Sequence, residues 1–153
     1  MPRSGETESE PMKINRKGSA SWSGGFKDGK GSISTESGAL SAHPYGYAMR
    51  FEGVKGTNPE ELIGAAHASC FTMALSAILG QAKLTATKMD TTATVTLEQK
   101  DSGFAITAIH LDLKAQIPGT DQATFAELAK KAKENCPVSK LFKADITLDA
   151  KLV

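Results

Sequence analysis

The chain has 153 residues, a length that suits one domain able to bury about two-thirds of its unfolded surface. Its 18 basic and 17 acidic residues leave a formal net charge of +1, so charge indicates neither nucleic acid nor an anionic membrane as a partner. The first residues, MPRSGETESEP, lack the apolar stretch of a secretory signal, and we therefore expect a cytoplasmic protein. In that reducing compartment, Cys70 and Cys136 are expected to be thiols rather than a structural disulfide.

Residues 1–11 are polar and charged, which is typical of a disordered tail, and the single predicted domain covers residues 12–153. Apolar residues then alternate with polar neighbours over residues 14–22, as expected for a strand with one buried face. After a glycine-rich segment, residues 32–36 are the expected hairpin partner of that strand. The chain is therefore predicted to begin with β structure.

A third strand is predicted between residues 45 and 51, where aromatic and apolar side chains recur at every second position. The members of this set are Tyr45, Tyr47, Met49 and Phe51. Arg50 is out of phase with them, so we expect it on the opposite face of the strand or at its edge.

Residues 57–80, with the sequence TNPEELIGAAHASCFTMALSAILG, predict the central helix. Asn58 is suited to cap it, Pro59 to occupy its first position, and Glu60 and Glu61 to interact favourably with the helix dipole. Beyond them, apolar residues cover almost the whole circumference, which predicts a helix buried on all sides. A membrane span is the alternative, but the run contains a histidine and hydroxyl groups and lacks flanking basic residues.

The most regular β pattern follows the central helix. Residues 91–98 and 104–117 predict two strands joined by the turn-like sequence KDSG. The apolar phase of the second strand changes near residue 108, which indicates a β-bulge.

The last part of the chain predicts two helices and a strand. Residues 121–134 have an apolar face and lysines available to solvent, as in an amphipathic helix. Pro137 is suited to open a short helix directly after Cys136, and apolar alternation over residues 146–152 predicts a final strand. The order of strands and helices indicates an α+β domain.

The two cysteines are the candidate reactive groups. Cys70 lies more than two turns inside its helix, beyond the reach of the helix dipole, so a thiolate there requires a cation or donor such as His67 or Arg50. Cys136 precedes a helix-opening proline, where backbone N–H groups stabilise an anion. An inert buried thiol is the alternative interpretation of each cysteine. Together they fit a chemistry in which a sulfenic acid condenses with a second thiol.

No metal or bound cofactor is expected. His43 and His110 have no metal-ligand spacing with either cysteine. The phosphate-binding and dinucleotide-binding motifs are missing from the sequence, and the glycine-rich segment precedes a predicted strand rather than a helix.

The chain closely resembles the OsmC/Ohr family of thiol peroxidases, from about residue 13 to residue 153. The NPEE-to-cysteine block and the later CPVS are specific to that family. The segments that carry the resemblance are STESG (34–38), PYGYAMRFEG (44–53), KGTNPEELIGAAHASCF (55–71), DSGFAIT (101–107), CPVSK (136–140) and ADITLD (144–149).

The resemblance implies a role for four residues. Cys70 is implied to be the peroxidatic thiolate and Cys136 the resolving cysteine. Arg50 and Glu60 are implied to be the pair that orients and activates the first thiol. Glu61 is the alternative acid, and Glu60 is preferred because its spacing of ten residues before the cysteine fits the family motif.

A second arginine has to be considered, because in the Ohr branch of the family the active-site arginine comes from nearer the N-terminus. Arg16 would be that residue here. The placement of Arg50 in the sequence RFE is similar to the OsmC branch, so Arg50 is the stronger candidate.

The resemblance also implies antiparallel sheets wrapped around central helices in an intertwined homodimer, with active sites at the subunit boundary. The implied activity is the reduction of organic hydroperoxides, and more weakly hydrogen peroxide, to alcohols in oxidative and osmotic stress defence. It requires no bound cofactor but needs an external dithiol reductant, of lipoyl type or on a lipoylated protein. Neither nucleic acid nor a membrane is an expected partner.

Helix geometry constrains the pair of Glu60 and Cys70. In one continuous helix, ten residues separate them by about 15 Å along the axis and by roughly 80° around it, too far for contact. If Glu60 serves a Cys70, either the helix begins with a break or Glu60 comes from the partner subunit, and we favour the partner. Two other functions stay open: a non-enzymatic cysteine redox sensor, and a small-molecule-binding or structural dimer.

Overall fold

The computed structural model describes residues 12–153, and the chain folds as two compact units divided between Thr57 and Asn58. The disordered tail predicted for residues 1–11 lies outside the described residues. One domain over residues 12–153 stays a prediction.

The N-terminal unit contains a three-stranded antiparallel sheet. Its strands β1 (Gly18–Ser23), β2 (Lys30–Thr35) and β3 (His43–Tyr45) are adjacent in that order, which confirms the predicted first hairpin. The rings of Trp22 and Tyr45 pack 5.4 Å apart across this sheet, over Gly31. A Cβ at Gly31 would collide with both rings, so this position requires glycine.

The strand predicted for residues 45–51 is wrong beyond Tyr45, because the chain turns into helix α1 (Tyr47–Phe51) and places Arg50 on a helix. The N–H of Arg50 donates to the carbonyl oxygen of Gly46 at 3.1 Å. The rings of Tyr47 and Phe51 lie 5.0 Å apart. Residues four apart share a helix face, so the aromatic spacing that fits a strand also fits one helical turn.

The second unit begins with helix α2 (Pro59–Gln81), as predicted. The side chain of Asn58 caps it, since its Oδ1 accepts from the N–H of Glu61 at 2.8 Å, and Pro59 occupies the first turn. Strands β4 (Lys88–Lys100) and β5 (Gly103–Gln116) then form the predicted hairpin. Its register shifts after Thr96, opposite Thr107, which confirms a bulge near residue 108.

The remaining elements are helix α3 (Gln122–Asn135), helix α4 (Pro137–Leu141) and strand β6 (Asp145–Leu152). Strand β6 pairs with β5 in parallel. The prediction of antiparallel sheets is therefore wrong for this pair. The two helices carry the chain back across the sheet, and such a crossover brings the next strand in with the same direction.

Helix α2 buries only one face within the chain, so the prediction that it is buried on all sides is wrong. The buried residues recur at helical spacing: Gly64, His67, Phe71, Leu75 and Leu79. Phe71, Leu75 and Leu79 belong to the hydrophobic core. That core also includes residues of β5 and α3 and the second cysteine, among them Leu111, Leu113, Phe125, Ala129 and Cys136. A Cβ on Gly64 would lie 3.1 Å from the carbonyl oxygen of Ala93, so the helix lies close to β4 at this point.

The opposite face of α2 is exposed and is made of small residues and one methionine. Its members are Ala65, Ser69, Met73 and Ser76, and Met73 is 77% exposed. By length and composition α2 is the one helix in the described part of the chain that could cross a membrane. The other face of α2 packs in the core, so the feature that needs a physical reason is the exposure of this largely apolar face.

Candidate active site

The two cysteines meet where α2 contacts α4. The Sγ of Cys136 lies 2.9 Å from the Sγ of Cys70, and both are free thiols. Cys136 is completely buried, whereas Cys70 is partly exposed. The residues are 66 positions apart, so the tertiary fold and not the local sequence brings them together.

The local sequence places Cys136 at a corner between two helices. Its N–H donates to the carbonyl oxygen of Ala132 at 2.9 Å and so completes the last turn of α3. Pro137 disfavours helical geometry in the residue before it, and Cys136 accordingly has a ψ of 126°. The chain turns there and starts α4 with the thiol facing the core.

The surroundings of Cys70 favour the neutral thiol. Burial raises the pKa of Cys70 above its ordinary value, and the hydrogen bond with Cys136 raises it further. The backbone of Val138 acts in the opposite direction but more weakly. Within the C-terminal unit alone, Cys70 is therefore not activated as a thiolate.

Arg50 belongs to the N-terminal unit, where it lines an aromatic pocket of about 190 Å³. Its guanidinium carbon lies 5.3 Å from the ring centre of Phe51. The other aromatic lining residues are Trp22, Phe26, Tyr45 and Tyr47. The arrangement places one cation beside a wall of aromatic rings.

Glu60 lies in the first turn of α2, where it is half-buried, whereas Glu61 is exposed. Helix α2 runs without interruption from Pro59 to Gln81, so no break precedes Cys70. The separation of Glu60 and Cys70 along one chain is therefore about 15 Å, and the structure does not bring these two residues together within the protomer.

His67 is fully buried and contacts a residue that the sequence did not single out. Its Nε2 lies 2.7 Å from the Oγ of Ser139, and its ring packs edge-on against Phe142 at 5.6 Å. Burial lowers the pKa of His67, so this imidazole is neutral and does not supply the cation that Cys70 needs. The segment CPVSK marked this region, but no sequence signal paired its serine with a histidine 72 positions away.

The buried histidine predicts a pH dependence of stability. Its folded pKa lies below the ordinary value of 6.5, so the unfolded chain binds a proton that the folded chain does not once the pH falls below about 6.5. The free energy of unfolding is expected to fall there, by at most about 1.4 kcal/mol per pH unit from this one group. Above that pH the imidazole is neutral in both states and contributes no slope.

Urea denaturation at several pH values checks this expectation. His67→Gln should lose the part of the slope that His67 contributes, whereas His110→Gln, which removes an exposed imidazole, should keep it. Identical slopes for His67→Gln and the wild type between about pH 6.5 and the folded pKa would contradict the assignment.

Within residues 12–153, no group of three or more histidine, cysteine or acidic side chains is placed to hold a metal ion. The arrangement that the structure shows is a pair of free thiols, one buried and one accessible, in an α+β fold. This combination defines a class of α+β proteins with a candidate dithiol site.

Comparison with known proteins identifies the family. Residues 52–151 match the OsmC-like protein family, and the chain belongs to it. The chain is 58% identical to "Peroxiredoxin OsmC" of Escherichia coli strain K12, over 92% of this chain and 99% of that protein. It is 35% identical to "Organic hydroperoxide resistance protein" of Xanthomonas axonopodis pv. citri, over 61% of this chain and 65% of the relative.

The solved structures agree with this assignment. The organic hydroperoxide resistance protein OhrB of Bacillus subtilis is 26% identical, with a TM-score of 0.65 over 92% of this chain and 98% of its own. The resemblance expected from the sequence is thereby confirmed. Arg50 lies just before the residues that match the family, whereas Glu60, Cys70 and Cys136 lie among them.

Proposed function

We propose that this protein is a thiol-dependent peroxidase that reduces organic hydroperoxides, and more weakly hydrogen peroxide, in stress defence. Family membership and the peroxidase relatives support the activity. The observation that carries the mechanism is the distance of 2.9 Å between the Sγ atoms of Cys70 and Cys136. The proposed place of action is the cytoplasm, where both thiols would be kept reduced.

The reaction follows from thiol chemistry. The thiolate of Cys70 attacks one oxygen of the hydroperoxide, the O–O bond breaks, and the leaving alkoxide takes a proton to become an alcohol. Cys70 is then a sulfenic acid. The Sγ of Cys136 attacks that sulfur, its proton leaves with the hydroxyl group as water, and a disulfide forms. An external dithiol, for example a lipoyl group, reduces the disulfide by exchange and is itself oxidised.

The geometry favours fast disulfide formation. A disulfide bond is about 2.05 Å long, so the two sulfur atoms need to approach each other by only about 1 Å. Burial protects Cys136 from direct oxidation and leaves the partly exposed Cys70 as the thiol that meets the peroxide. The order of the two roles follows from this difference in exposure.

Activation of Cys70 requires a cation, because burial and the second thiol both raise its pKa. We assign that role to Arg50, held in orientation by Glu60 through a carboxylate–guanidinium pair. The aromatic pocket that Arg50 lines is suited to the hydrocarbon part of an organic hydroperoxide.

The exposed face of α2 supports an intertwined homodimer. Small residues on this face, together with Met89 and Thr91 of β4, line a shallow groove of about 510 Å³. Small side chains allow two helix backbones to approach closely, and a second copy of the chain offers the same surface. In such a dimer Glu60 serves the Cys70 of the partner subunit, since the continuous helix keeps them apart within one chain.

Coexpression of two inactive variants tests whether Glu60 acts across the subunit boundary. In a mixed dimer of Cys70→Ser and Glu60→Gln chains, one site receives an intact Cys70 and an intact Glu60. With random pairing, about a quarter of the wild-type activity per chain is expected to return, because half of the dimers have one intact site of two.

The control is Glu61→Gln, which should be nearly as active as the wild type by itself. No recovery in the mixed preparation, or a monomeric variant with full activity, would contradict action across the boundary.

The proposed function is tested by the consumption of cumene hydroperoxide and of hydrogen peroxide, followed by stopped flow with dihydrolipoamide as the reductant. Repeated turnover, faster with the organic peroxide, is the expected result. A redox sensor would instead oxidise once without turnover, and a binding or structural dimer would react slowly with both peroxides.

A further inference from the structure

A buried polar contact lies beside the two thiols and has no part in the chemistry described so far. His67 precedes Cys70 by one turn of α2, and Ser139 follows Cys136 by three residues in α4. The Nε2 of His67 and the Oγ of Ser139 are 2.7 Å apart. The histidine is fully buried and the serine is 8% exposed. The contact therefore joins α2, which carries Cys70, to α4, which begins directly after Cys136.

This hydrogen bond is costly to lose. The Nδ1 of His67 is buried and has no hydrogen-bond partner among the residues that the structure describes, so within that part of the chain the imidazole bonds through Nε2 to Ser139. The ring otherwise packs against Phe142. Without the serine hydroxyl, the buried imidazole would lose this hydrogen bond, and leaving a buried polar group unpaired is costly.

Helix α4 depends on such contacts for its position. It has five residues, little more than one turn, and a helix of that length is not stable by itself. Its backbone hydrogen bond from Lys140 to Cys136, at 3.1 Å, shapes the turn but does not attach it to α2. The contact of His67 with Ser139 provides a directional attachment.

We propose that the hydrogen bond between His67 and Ser139 holds α4 against α2 so that Cys136 stays within reach of Cys70. Both are positioning residues for disulfide formation, and they do not touch the peroxide. The inference rests on the proposed function for its kinetics, but the effect on the dithiol exists without any peroxide. Condensation of a sulfenic acid with a thiol inside one protein is unimolecular, so its rate depends on how well the two sulfurs are held together.

Ser139→Ala separates positioning from reactivity. The reduced protein is mixed with one equivalent of cumene hydroperoxide, and the loss of peroxide and the appearance of the disulfide are followed separately. Oxidation of Cys70 should keep its wild-type rate, whereas disulfide formation should become about tenfold slower, as expected for one buried hydrogen bond. The sulfenic acid then persists longer, so excess peroxide should convert more of it to sulfinic acid.

Conservative variants distinguish positioning from general damage to the fold. Ser139→Thr keeps the hydroxyl, and His67→Gln keeps an amide that can donate to or accept from it near the place of Nε2, so both should close the disulfide at nearly the wild-type rate. His67→Leu should resemble Ser139→Ala. Ser102→Ala, in the exposed turn between β4 and β5, is the control. Equal rates of closure in Ser139→Ala and the wild type, or a parallel loss of the oxidation step, would overturn the proposal.

Equilibration in glutathione redox buffers provides a second readout that needs no peroxidase activity. Loss of the hydrogen bond frees α4 in the reduced state, so closing the disulfide must order it again. The effective concentration of the two thiols is expected to fall about tenfold in Ser139→Ala. If the wild type fails to turn over peroxide while this shift is observed, the proposed function is wrong and the positioning role stands. An unchanged effective concentration would contradict the positioning role.

Discussion

Cys70→Ser is expected to lower hydroperoxide turnover by at least about a thousandfold, because a serine hydroxyl at this position replaces the thiolate that attacks the peroxide. The burial of Cys136 makes it a poor substitute for the missing nucleophile. Steady-state consumption of cumene hydroperoxide with dihydrolipoamide measures the effect. Circular dichroism should show an unchanged fold, since one sulfur is replaced by oxygen at a partly exposed site.

Cys136→Ser is expected to behave differently from Cys70→Ser. Its Cys70 still reacts with the first equivalent of peroxide, but no disulfide forms and the sulfenic acid accumulates. A trap for sulfenic acids followed by mass spectrometry should label Cys70 in this variant. If Cys70→Ser kept rapid turnover, or if both variants lost the first reaction equally, the assignment of roles would be wrong.

Arg50→Gln is expected to slow the reaction of Cys70 with hydroperoxide by about a hundredfold, through loss of the positive charge that favours the thiolate. The surroundings of Cys70 in the C-terminal unit raise its pKa. The positive charge that stabilises the thiolate therefore has to come from a residue outside those surroundings. Arg50→Lys should recover only part of the rate, since an ammonium group lacks the fork required by the proposed pairing of Arg50 with Glu60.

The pH profile of Cys70 alkylation, measured in the Cys136→Ser background, reports this effect directly. The apparent pKa of Cys70 should rise in Arg50→Gln and stay unchanged in Arg16→Gln, the matched control. A profile shifted by Arg16→Gln but not by Arg50→Gln would transfer the role to the N-terminal arginine.

Local sequence rules were sufficient for several parts of the fold. The start of α2 followed from a capping asparagine, a proline and two acidic residues, and the structure has the cap hydrogen bond from Glu61 to Asn58. The hairpin of β4 and β5, including its bulge, followed from alternation and a change of phase. In each case the signal lies within a few residues of its consequence.

Other features required information that local patterns do not contain. The aromatic residues before Phe51 satisfy both a strand and a helical turn, and only the backbone turn after Gly46 decides between them. The parallel direction of β6 follows from the crossover through α3 and α4. The apolar composition of α2 indicated burial on all sides, but one chain covers only one face, and a partner subunit is what would cover the other.

In the candidate site, too, some residues were indicated by sequence motifs and others were recognisable only from the tertiary structure. Resemblance to the family indicated Cys70, Cys136, Arg50 and Glu60 from motifs in the sequence. It did not reveal Ser139, because a serine opposite a buried histidine is recognisable only once α4 is placed against α2. The contact of the thiols is also tertiary, and sequence separation alone neither supports nor excludes it.

The most direct test of the two-cysteine mechanism is a thiol count before and after one equivalent of cumene hydroperoxide per chain, with peptide mapping of the product. The mechanism predicts that both thiols disappear together and that one disulfide joins Cys70 to Cys136 within the same chain. Loss of a single thiol, a disulfide between chains, or two intact thiols after the peroxide has been consumed would contradict it.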